Sequence, residues 1–325
     1  MERTTTTVHE QSWITHLVNV LRGMAMGSAD IVPGVSGGTI ALLLGVYEPL
    51  LGSLRTLTEP AFLQAVARRR FREAFEILPW RFLIALGSGI LLAALTLARL
   101  LSWLLVNQPE LLWSFFAGLV LASVFVVAGR VSGWSASRFF QFTVGAVGAF
   151  VVVGLVPAQT PNDPLFLFLS GALAICAMIL PGISGAFILV LLGKYQHVLD
   201  AVSNGDVLTL AIVAVGAGAG LVTVARFLSW LFGRYHDATL AFLAGLMLGS
   251  LRKLWPWKRG VTWMRDSNGD FVVDAHGNPV ALVEANVIPD LAVPGMVEEV
   301  VAAATLAVVG FLLVLAINRL GLRSA

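Results

Sequence analysis

Residues 29–47 read ADIVPGVSGGTIALLLGVY, and residues 177–195 read AMILPGISGAFILVLLGKY. The two stretches share a Pro-Gly-x-Ser-Gly motif and a later Gly-x-Tyr, at a constant offset of 148 residues. Each motif interrupts an apolar run, although proline removes a backbone donor and glycine weakens a helix. The same interruption in two places of one chain indicates an internal repeat with a broken helix in each copy.

Two further segments repeat in the same order, at an offset of 127 residues. The matched pairs are GILLAALTLARLLSWLL (89–105) with GAGAGLVTVARFLSWLF (216–232), and FFAGLVLAS (115–123) with FLAGLMLGS (242–250). The offset changes because the first copy has a longer linker after its hairpin. We therefore predict a first repeat over 1–158 and a second over 159–325, with the boundary in VPAQTPNDP.

The composition is that of a membrane protein. Of the 325 residues, 58% are hydrophobic and 12% are charged, and the mean hydropathy is +0.86. A soluble domain has about 25% charged residues. The apolar runs are continuous and lack the alternation of an outer-membrane barrel. We expect an all-α integral membrane protein without nucleic-acid partners, and the single Cys176 excludes an internal disulfide.

Six apolar runs have the length of a membrane-spanning helix, about 20 residues. They lie at about 82–105, 111–129, 138–158, 207–232, 238–254 and 298–319. The arms around the two PGxSG motifs are shorter, so we predict re-entrant hairpins at about 13–51 and 165–200. Three spans plus one hairpin give each repeat an odd number of crossings. The second repeat is therefore predicted to be inverted, as in many transporters.

The distribution of arginine and lysine predicts the orientation. The arginine-rich linker before residue 82 is placed in the cytoplasm, which also puts the N-terminus and the C-terminus there. The loop at about 255–297 then lies outside, although residues 252–265 contain five basic side chains. Within it, VTWMRDSNGDFVV predicts a turn and a small external cap, without the spacing of a calcium-binding loop.

The breaks are candidates for anion binding. A helix restarts after each one, at about Ser36 and Ser184. Its first N–H groups lack partners and its dipole favours negative charge. Glycine admits an anion close to the backbone, and serine donates a hydrogen bond or caps the helix. We predict that PGVSGG (33–38), with Thr39, forms an anion cradle that faces PGISG (181–185) from the other half; a Pro-Gly corner without a ligand is the alternative.

Two arginines recur within apolar runs. Arg99 and Arg226 each stand in the pattern AR-x-[LF]-S-W. An arginine inside a span costs roughly 2.5–3.5 kcal/mol on insertion scales, so it usually faces a cavity or a partner. Guanidinium groups suit phosphate oxygens, which favours phosphate over chloride. The alternatives are snorkelling to the interface and pairing with Asp30.

Asp30 and Glu48 flank the first hairpin, and the second hairpin has no matching acids. Either residue is a candidate for carrying a coupling proton, for pairing with an arginine or for capping a helix end. The five histidines have no paired metal-binding spacing, so we expect neither a metal nor a cofactor.

Both hairpin sequences closely resemble the PopT-type polyprenyl-phosphate transporters, a bacterial membrane family formerly known only as a domain of unknown function. The resemblance implies translocation of undecaprenyl phosphate, the C55 carrier lipid, across the cytoplasmic membrane to its inner leaflet for cell-wall synthesis. It also implies a substrate-binding role for motif residues in both hairpins. These residues are Pro33, Gly34, Ser36, Gly37, Gly38, Pro181, Gly182, Ser184 and Gly185.

Two other functions fit parts of the sequence. Undecaprenyl-pyrophosphate phosphatases use a similar inverted hairpin with a PG-x-S-R-S-type motif. Here Gly37 stands where that motif has its arginine, and no E-x-x-x-E pair supplies a base. A small-anion transporter or channel is the other alternative. We predict a transporter without catalytic residues.

Overall fold

The computed structural model describes residues 13–32, 34–158, 160–265, 269–273, 277 and 279–319. Pro33 lies outside the described residues, as do both chain ends, for which a cytoplasmic location is predicted.

The described chain is helical except for one small sheet. The helices are α1 (Trp13–Ile31), α2 (Gly37–Leu43), α3 (Tyr47–Thr56), α4 (Pro60–Ala67), α5 (Phe71–Ile77), α6 (Trp80–Thr96), α7 (Ala98–Asn107), α8 (Pro109–Ala128), α9 (Ala136–Val152), α10 (Pro164–Ile179), α11 (Gly185–Leu191), α12 (Tyr195–Asn204), α13 (Val207–Ser250) and α14 (Met296–Arg319). The strands are β1 (Lys258–Trp263) and β2 (Ala281–Asn286).

The predicted spans are present as helices, with two differences. The run 82–105 is not one straight helix, because α6 and α7 meet at Leu97. The runs 207–232 and 238–254 are joined in α13, and the predicted loop GRYHD is a kink at Tyr235 (φ −138°, ψ 50°). The predicted connection between the two spans is therefore present, but it consists of one non-helical residue, with helix on both sides.

The long apolar helices make this a multi-pass membrane protein. Among the described residues, α8, α13 and α14 are each long and apolar enough to cross a membrane. The number rises to six if each of three bent helix pairs counts as one span. Two of these pairs belong to the predicted hairpins: α2 and α3 meet at 113°, and α11 and α12 meet at 105°.

Both predicted breaks occur where the motifs lie. Helix α1 ends at Ile31 and α2 begins at Gly37, while α10 ends at Ile179 and α11 begins at Gly185. The second motif residue has a left-handed backbone in each copy, with φ +85° at Gly34 and +91° at Gly182. Glycine adopts this conformation without steric cost, which explains why the turn uses Pro-Gly.

Helices in the two halves cross at glycines in corresponding positions. A Cβ added to Gly89 would overlap the carbonyl of Val20, and one added to Gly216 would overlap that of Phe168. Each residue of the second pair follows its counterpart at the sequence offset given above, 127 or 148. Small residues let helix backbones approach closely in membranes. The halves therefore make equivalent contacts between α1 and α6 and between α10 and α13.

The central spans exchange partners between the halves. Gly118 on α8 lies against Ala307 on α14, and Gly245 on α13 lies against Phe142 on α9. Gly118 and Gly245 occupy the same place in the repeated FFAGLVLAS and FLAGLMLGS segments. Each half thus packs its second span on the third span of the other half.

Residues 252–297, here called the cap, contain the small sheet of the described chain, which is otherwise helical as the all-α prediction requires. Strands β1 and β2 pair antiparallel, with Lys258 opposite Asn286. An isolated bridge joins Arg265 to Phe271 on either side of the predicted turn, of which residues 266–268 lie outside the described residues. The indole of Trp257 donates to Glu299 at 2.8 Å, which fixes the cap to the start of α14. Alternating residues and the turn explain why this polar stretch pairs as strands.

Candidate functional site

The two breaks meet inside the protein. The backbone N–H of Gly182 donates to Thr39 Oγ1 at 3.0 Å. The Ser36 hydroxyl lies 3.3 Å from the carbonyl oxygens of both Met178 and Leu180 and accepts a bond from the N–H of Gly38 at 3.1 Å. The motifs from the two halves of the sequence are therefore in direct contact, as expected for a shared site.

The first break already contains a carboxylate. Asp30 Oδ1 accepts from the backbone N–H of Gly37 at 2.7 Å, and a Cβ added to Gly37 would overlap the Asp30 carboxyl group. Ser36 caps the same helix, and every residue of α2 is buried. Asp30 therefore takes the position at the start of α2 that the sequence assigned to an external anion. Capping is one of the alternatives given for its role.

The second break is open by comparison. Met178 occupies the position of Asp30 at the offset of 148, and the Ser184 side chain caps no backbone N–H. None of the α11 residues is buried. A cavity of about 280 Å³ adjoins this break, and its walls include Ser184, Gly34 and Trp113. Space for a ligand thus lies beside the second PGxSG motif.

Basic side chains of the cap reach this cavity. Lys253 lines it together with Glu284, and a Cβ added to Gly34 would lie 2.8 Å from Lys253 Cγ. Lys253 Nζ lies 3.0 Å from Glu284 Oε2, and Lys258 Nζ lies 3.5 Å from the same oxygen. These positive groups next to the second break suit an anionic ligand.

Burial changes the acid–base properties of the cap. Burial lowers the pKa of Lys258 to about 8, although the nearby Glu284 acts in the opposite direction. Burial by itself would raise the pKa of Glu284, but the ammonium groups of Lys258 and Lys253 hold it below its usual range. Glu284 is therefore ionised at neutral pH and is shared by two cations.

Sequence reasoning missed Lys253 and Lys258 as site residues. It treated them only as an exception to the positive-inside rule, in a loop predicted to be external. That exception is the signal that could have found them, because basic residues on the unfavoured side require another reason to be there.

The two repeated arginines lie elsewhere. Arg226 donates through Nε to Thr58 Oγ1 at 2.6 Å and through Nη2 to the Thr58 carbonyl, so it binds the end of the first hairpin. Arg99 is exposed at the start of α7 and makes no hydrogen bond or ion pair with a described residue. Neither guanidinium forms a hydrogen bond with a described residue of either break. The sequence symmetry of the pair is not matched by equivalent contacts.

The remaining predicted residues have separate surroundings. Glu48 is half exposed on α3, and its Oε1 lies 3.2 Å from His236 Nε2 at the kink of α13. Pro181 is buried beside Gly182, and a Cβ added to Gly185 would lie 3.2 Å from Met178 Cβ. The described residues contain no group of His, Cys, Asp and Glu side chains that could hold a metal ion.

An apolar cavity borders the second break at Leu180. Its volume is about 590 Å³, and its walls come from α9, the end of α10 and the middle of α13. The lining includes Phe227, Leu231, Tyr235 and Phe242. A cavity with this lining suits a hydrocarbon chain.

The sequence is similar to known transporter proteins. Residues 26–272 match the VCA0040-like family, described as undecaprenyl phosphate translocase-like. A polyprenyl-phosphate transporter of Vibrio cholerae is 44% identical over 259 residues, which is 80% of this chain and 84% of the relative. A polyprenyl-phosphate transporter of Staphylococcus aureus is 32% identical over 258 residues, covering 74% of this chain and 86% of the relative. No solved structure matches the chain.

Proposed function

The chain belongs to the VCA0040-like, undecaprenyl phosphate translocase-like family, and on that premise we propose that it carries undecaprenyl phosphate across the bacterial cytoplasmic membrane. The lipid is returned to the cytoplasmic leaflet, where cell-wall synthesis uses it again. The headgroup moves without chemical change, so the protein is a transporter and not an enzyme.

The observation that carries this proposal is the cavity beside the second break, whose lining includes a serine and a lysine. Ser184 lines it without capping its own helix, and Lys253 lines it from the cap. A phosphate there would accept a hydrogen bond from the Ser184 hydroxyl and gain the positive charge of the lysine. Gly182 and Gly185 have a packing role instead, since an added Cβ would lie 2.8 Å from Ser250 Oγ at Gly182 and 2.6 Å from the Ala174 carbonyl oxygen at Gly185.

The lipid chain requires a different environment from the headgroup. The apolar cavity that ends at Leu180 offers space for the first isoprene units, and the rest of a C55 chain remains in the bilayer. Only the phosphate then needs shelter from hydrocarbon, which is the costly part of crossing. A cavity lined by a serine and a lysine, with an apolar cavity on the same break, fits a lipid with one charged end.

Equivalent helix contacts support the architecture that this function needs. We propose two repeats, 1–158 and 159–325, inserted in opposite orientations with both chain ends in the cytoplasm. The repeated glycine contacts of α6 with α1 and of α13 with α10 support duplication. In this arrangement each hairpin opens toward one side of the membrane, and the site lies between them.

A phosphatase would need a base beside the nucleophile. Ser184 is the candidate nucleophile in the cavity, which Tyr195 and Glu284 also line. Two lysines already hold Glu284 through ion pairs of 3.0 and 3.5 Å, which stabilises the carboxylate and makes it a poor base. This contrast favours transport over hydrolysis.

The test uses purified full-length protein in liposomes that contain a fluorescent polyprenyl phosphate. We expect movement between leaflets that requires the phosphate, because the uncharged alcohol gives the lysine nothing to bind. Ser184→Ala should slow this movement about tenfold, whereas Ser203→Ala, a change at an exposed serine of α12, should not. Release of inorganic phosphate from undecaprenyl pyrophosphate that Ser184→Ala abolishes would replace this proposal with a phosphatase.

A further inference from the structure

A further cavity lies against the inner surface of the cap, and its lining has more basic than acidic side chains. This cavity, of about 340 Å³, lies between the cap, the end of α9 and α11. Arg252, Lys253 and Lys258 line it, and Glu284 is the acid among its lining residues. Three cations facing one carboxylate leave an excess of positive charge in a confined space.

Lys258 is the least satisfied of these cations. Its side chain is 8% exposed, and its Nζ lies 3.7 Å from the ring centroid of Trp113. The ammonium is 3.5 Å from Glu284 and donates no hydrogen bond to any described residue. Burying an ammonium without acceptors is costly, and the aromatic ring offsets only part of that cost. Among the described residues, the Lys258 ammonium therefore has no acceptor closer than Glu284 Oε2, which is 3.5 Å away.

The neighbouring groups can share a ligand with Lys258. Glu284 Oε2 lies closer to Lys253 Nζ, at 3.0 Å, than to Lys258 Nζ, at 3.5 Å. Arg252 has five N–H donors, and one of them bonds to the carbonyl of Phe150 at 2.9 Å. The guanidinium stacks over the ring of Phe150 with 4.5 Å to the centroid, which fixes its position at the cavity wall.

We propose that the cap cavity is a second anion site that binds a phosphate monoester through Lys258, Lys253 and Arg252. Glu284 serves as the internal acceptor while the cavity is empty of ligand, and the phosphate replaces it in part. Two ammonium groups and a guanidinium suit a doubly charged tetrahedral anion better than chloride.

The position of this site gives it a role in transport. Lys253, Glu284 and Phe187 line both the cap cavity and the cavity beside the second break. Because Lys253 belongs to both cavities, a phosphate that leaves Lys258 can stay in contact with Lys253 as it passes to the cavity beside the second break. The cap site would receive the headgroup before it reaches Ser184; this role depends on the proposed function, whereas phosphate binding itself does not.

The experiment measures binding by calorimetry on full-length protein in detergent, with farnesyl phosphate and inorganic phosphate as separate probes. Lys258→Met keeps the apolar stem and removes the charge, so it should weaken binding of the phosphate group about tenfold. The matched control is Arg259→Met, because Arg259 follows in the same strand and is exposed. Glu284→Gln should strengthen binding, because it removes the competing carboxylate.

The outcomes separate a ligand site from a structural ion cluster. Equal binding by the Lys258→Met and Arg259→Met variants, with both still folded by thermal unfolding, would overturn the proposal. Weaker binding in the Glu284→Gln variant would also overturn it. Tight binding of both probes identifies the phosphate group as the ligand, and binding of farnesyl phosphate alone assigns the site to a lipid headgroup.

The pH dependence offers an independent readout. Phosphate binding favours the charged form of Lys258, whose pKa in the unliganded protein is lowered by burial to about 8. Affinity should be steady between about pH 7 and that pH and should fall as pH rises above it, and Lys258→Met should remove the fall; below about pH 6 the phosphate itself takes up a proton. The other charged groups that face Lys258 are Glu284 and Lys253, with Arg252 on the cavity wall.

Transport in liposomes distinguishes failure of this inference from failure of the proposed function. If wild type moves polyprenyl phosphate and Lys258→Met moves it equally fast with unchanged binding, only the cap site is rejected. If wild type binds farnesyl phosphate through Lys258 but moves no lipid, the cap site stands and the transport proposal fails.

Discussion

The two hairpins have the same motif and nearly opposite surroundings. All seven residues of α2 are buried, and none of the seven residues of α11 is. The start of α2 is closed by Asp30, whereas the corresponding position beside α11 is Met178. The difference teaches that a repeated motif defines a shape, and that one residue a few positions before it decides whether that shape remains open to a ligand.

Different side chains hold the C-terminal ends of the short helices α2 and α11. Arg130 donates to the carbonyl oxygens of Leu42 at 2.7 Å and Leu43 at 2.6 Å, so a fixed guanidinium closes the end of α2. At the end of α11, the Thr160 hydroxyl donates to Leu192 at 2.6 Å. A charged side chain thus contributes at both hairpins. Arg130, in the turn after α8, holds the first, and the fully buried Lys194 of the second hairpin donates to the Thr160 carbonyl and, at 2.6 Å, to Asn162 Oδ1.

The comparison assumes that corresponding helices of the two halves pack in the same way. Glycine substitutions at these helix contacts test this assumption, and they should have the largest effect on stability. Gly118→Leu and Gly245→Leu should each destabilise the protein by more than about 3 kcal/mol, because each side chain would meet a helix backbone. Thermal unfolding and size-exclusion chromatography measure the loss. Gly148→Leu is the control, since open space surrounds that position. A severe loss of stability in only one of the two glycine variants would show that the two helix contacts are not equivalent.

The next largest effect concerns the side chains that bind the C-terminal ends of α2 and α11. Arg130→Met should lower the free energy of unfolding by about 2–3 kcal/mol, because two charge-assisted hydrogen bonds are lost at a buried helix end. Thr160→Val, at the second hairpin, should cost about 1 kcal/mol. Thermal unfolding in detergent compares the two variants. Equal losses would mean that the hairpins are held equally firmly.

Exchanging the deciding residues should affect transport more than stability. Met178→Asp places a carboxylate beside the start of α11, where it would compete with the phosphate, and lipid movement in liposomes should fall about tenfold. Met178→Leu keeps the apolar character and should retain most of the movement. Normal transport by the Met178→Asp variant would show that the phosphate does not bind at the second break.

The smallest effects should come from the repeated arginines. Arg226→Ala removes hydrogen bonds to Thr58 and should cost about 1–2 kcal/mol in unfolding free energy. Arg99→Ala should change stability by less than about 0.5 kcal/mol, because Arg99 is exposed and makes no polar contact with a described residue. Comparing thermal unfolding of the two variants checks this difference. Loss of phosphate binding in either variant would restore the sequence-based assignment.

Local sequence features predicted the broken helices well. The Pro-Gly turns at 33–34 and 181–182 and the repeat offsets depend on neighbouring residues, so they can be read without a structure. The connection expected at GRYHD is present but shorter than the sequence suggested, since Tyr235 alone leaves the helical conformation. Helix existence was easier to predict than the form of a connection.

The composition of the site was harder to predict because it depends on long-range packing. Asp30 meets Gly37 only after α1 and α2 fold against each other, and Lys253 meets Gly34 across more than two hundred residues. The arginines misled because sequence symmetry does not guarantee equivalent partners. Thr58, which binds Arg226, has Asp206 as its counterpart, and Asp206 instead caps α13 through Thr209.

The exchange of partners among the central helices limits how this protein can change shape. Helix α8 is locked to α14 and α9 to α13 through backbone contacts at glycines. The two halves are therefore interleaved, and neither can move away from the other as a rigid block. Severing the chain near residue 158 should yield two fragments that fold only together, and rotation of one half as a rigid block would have to break these glycine contacts.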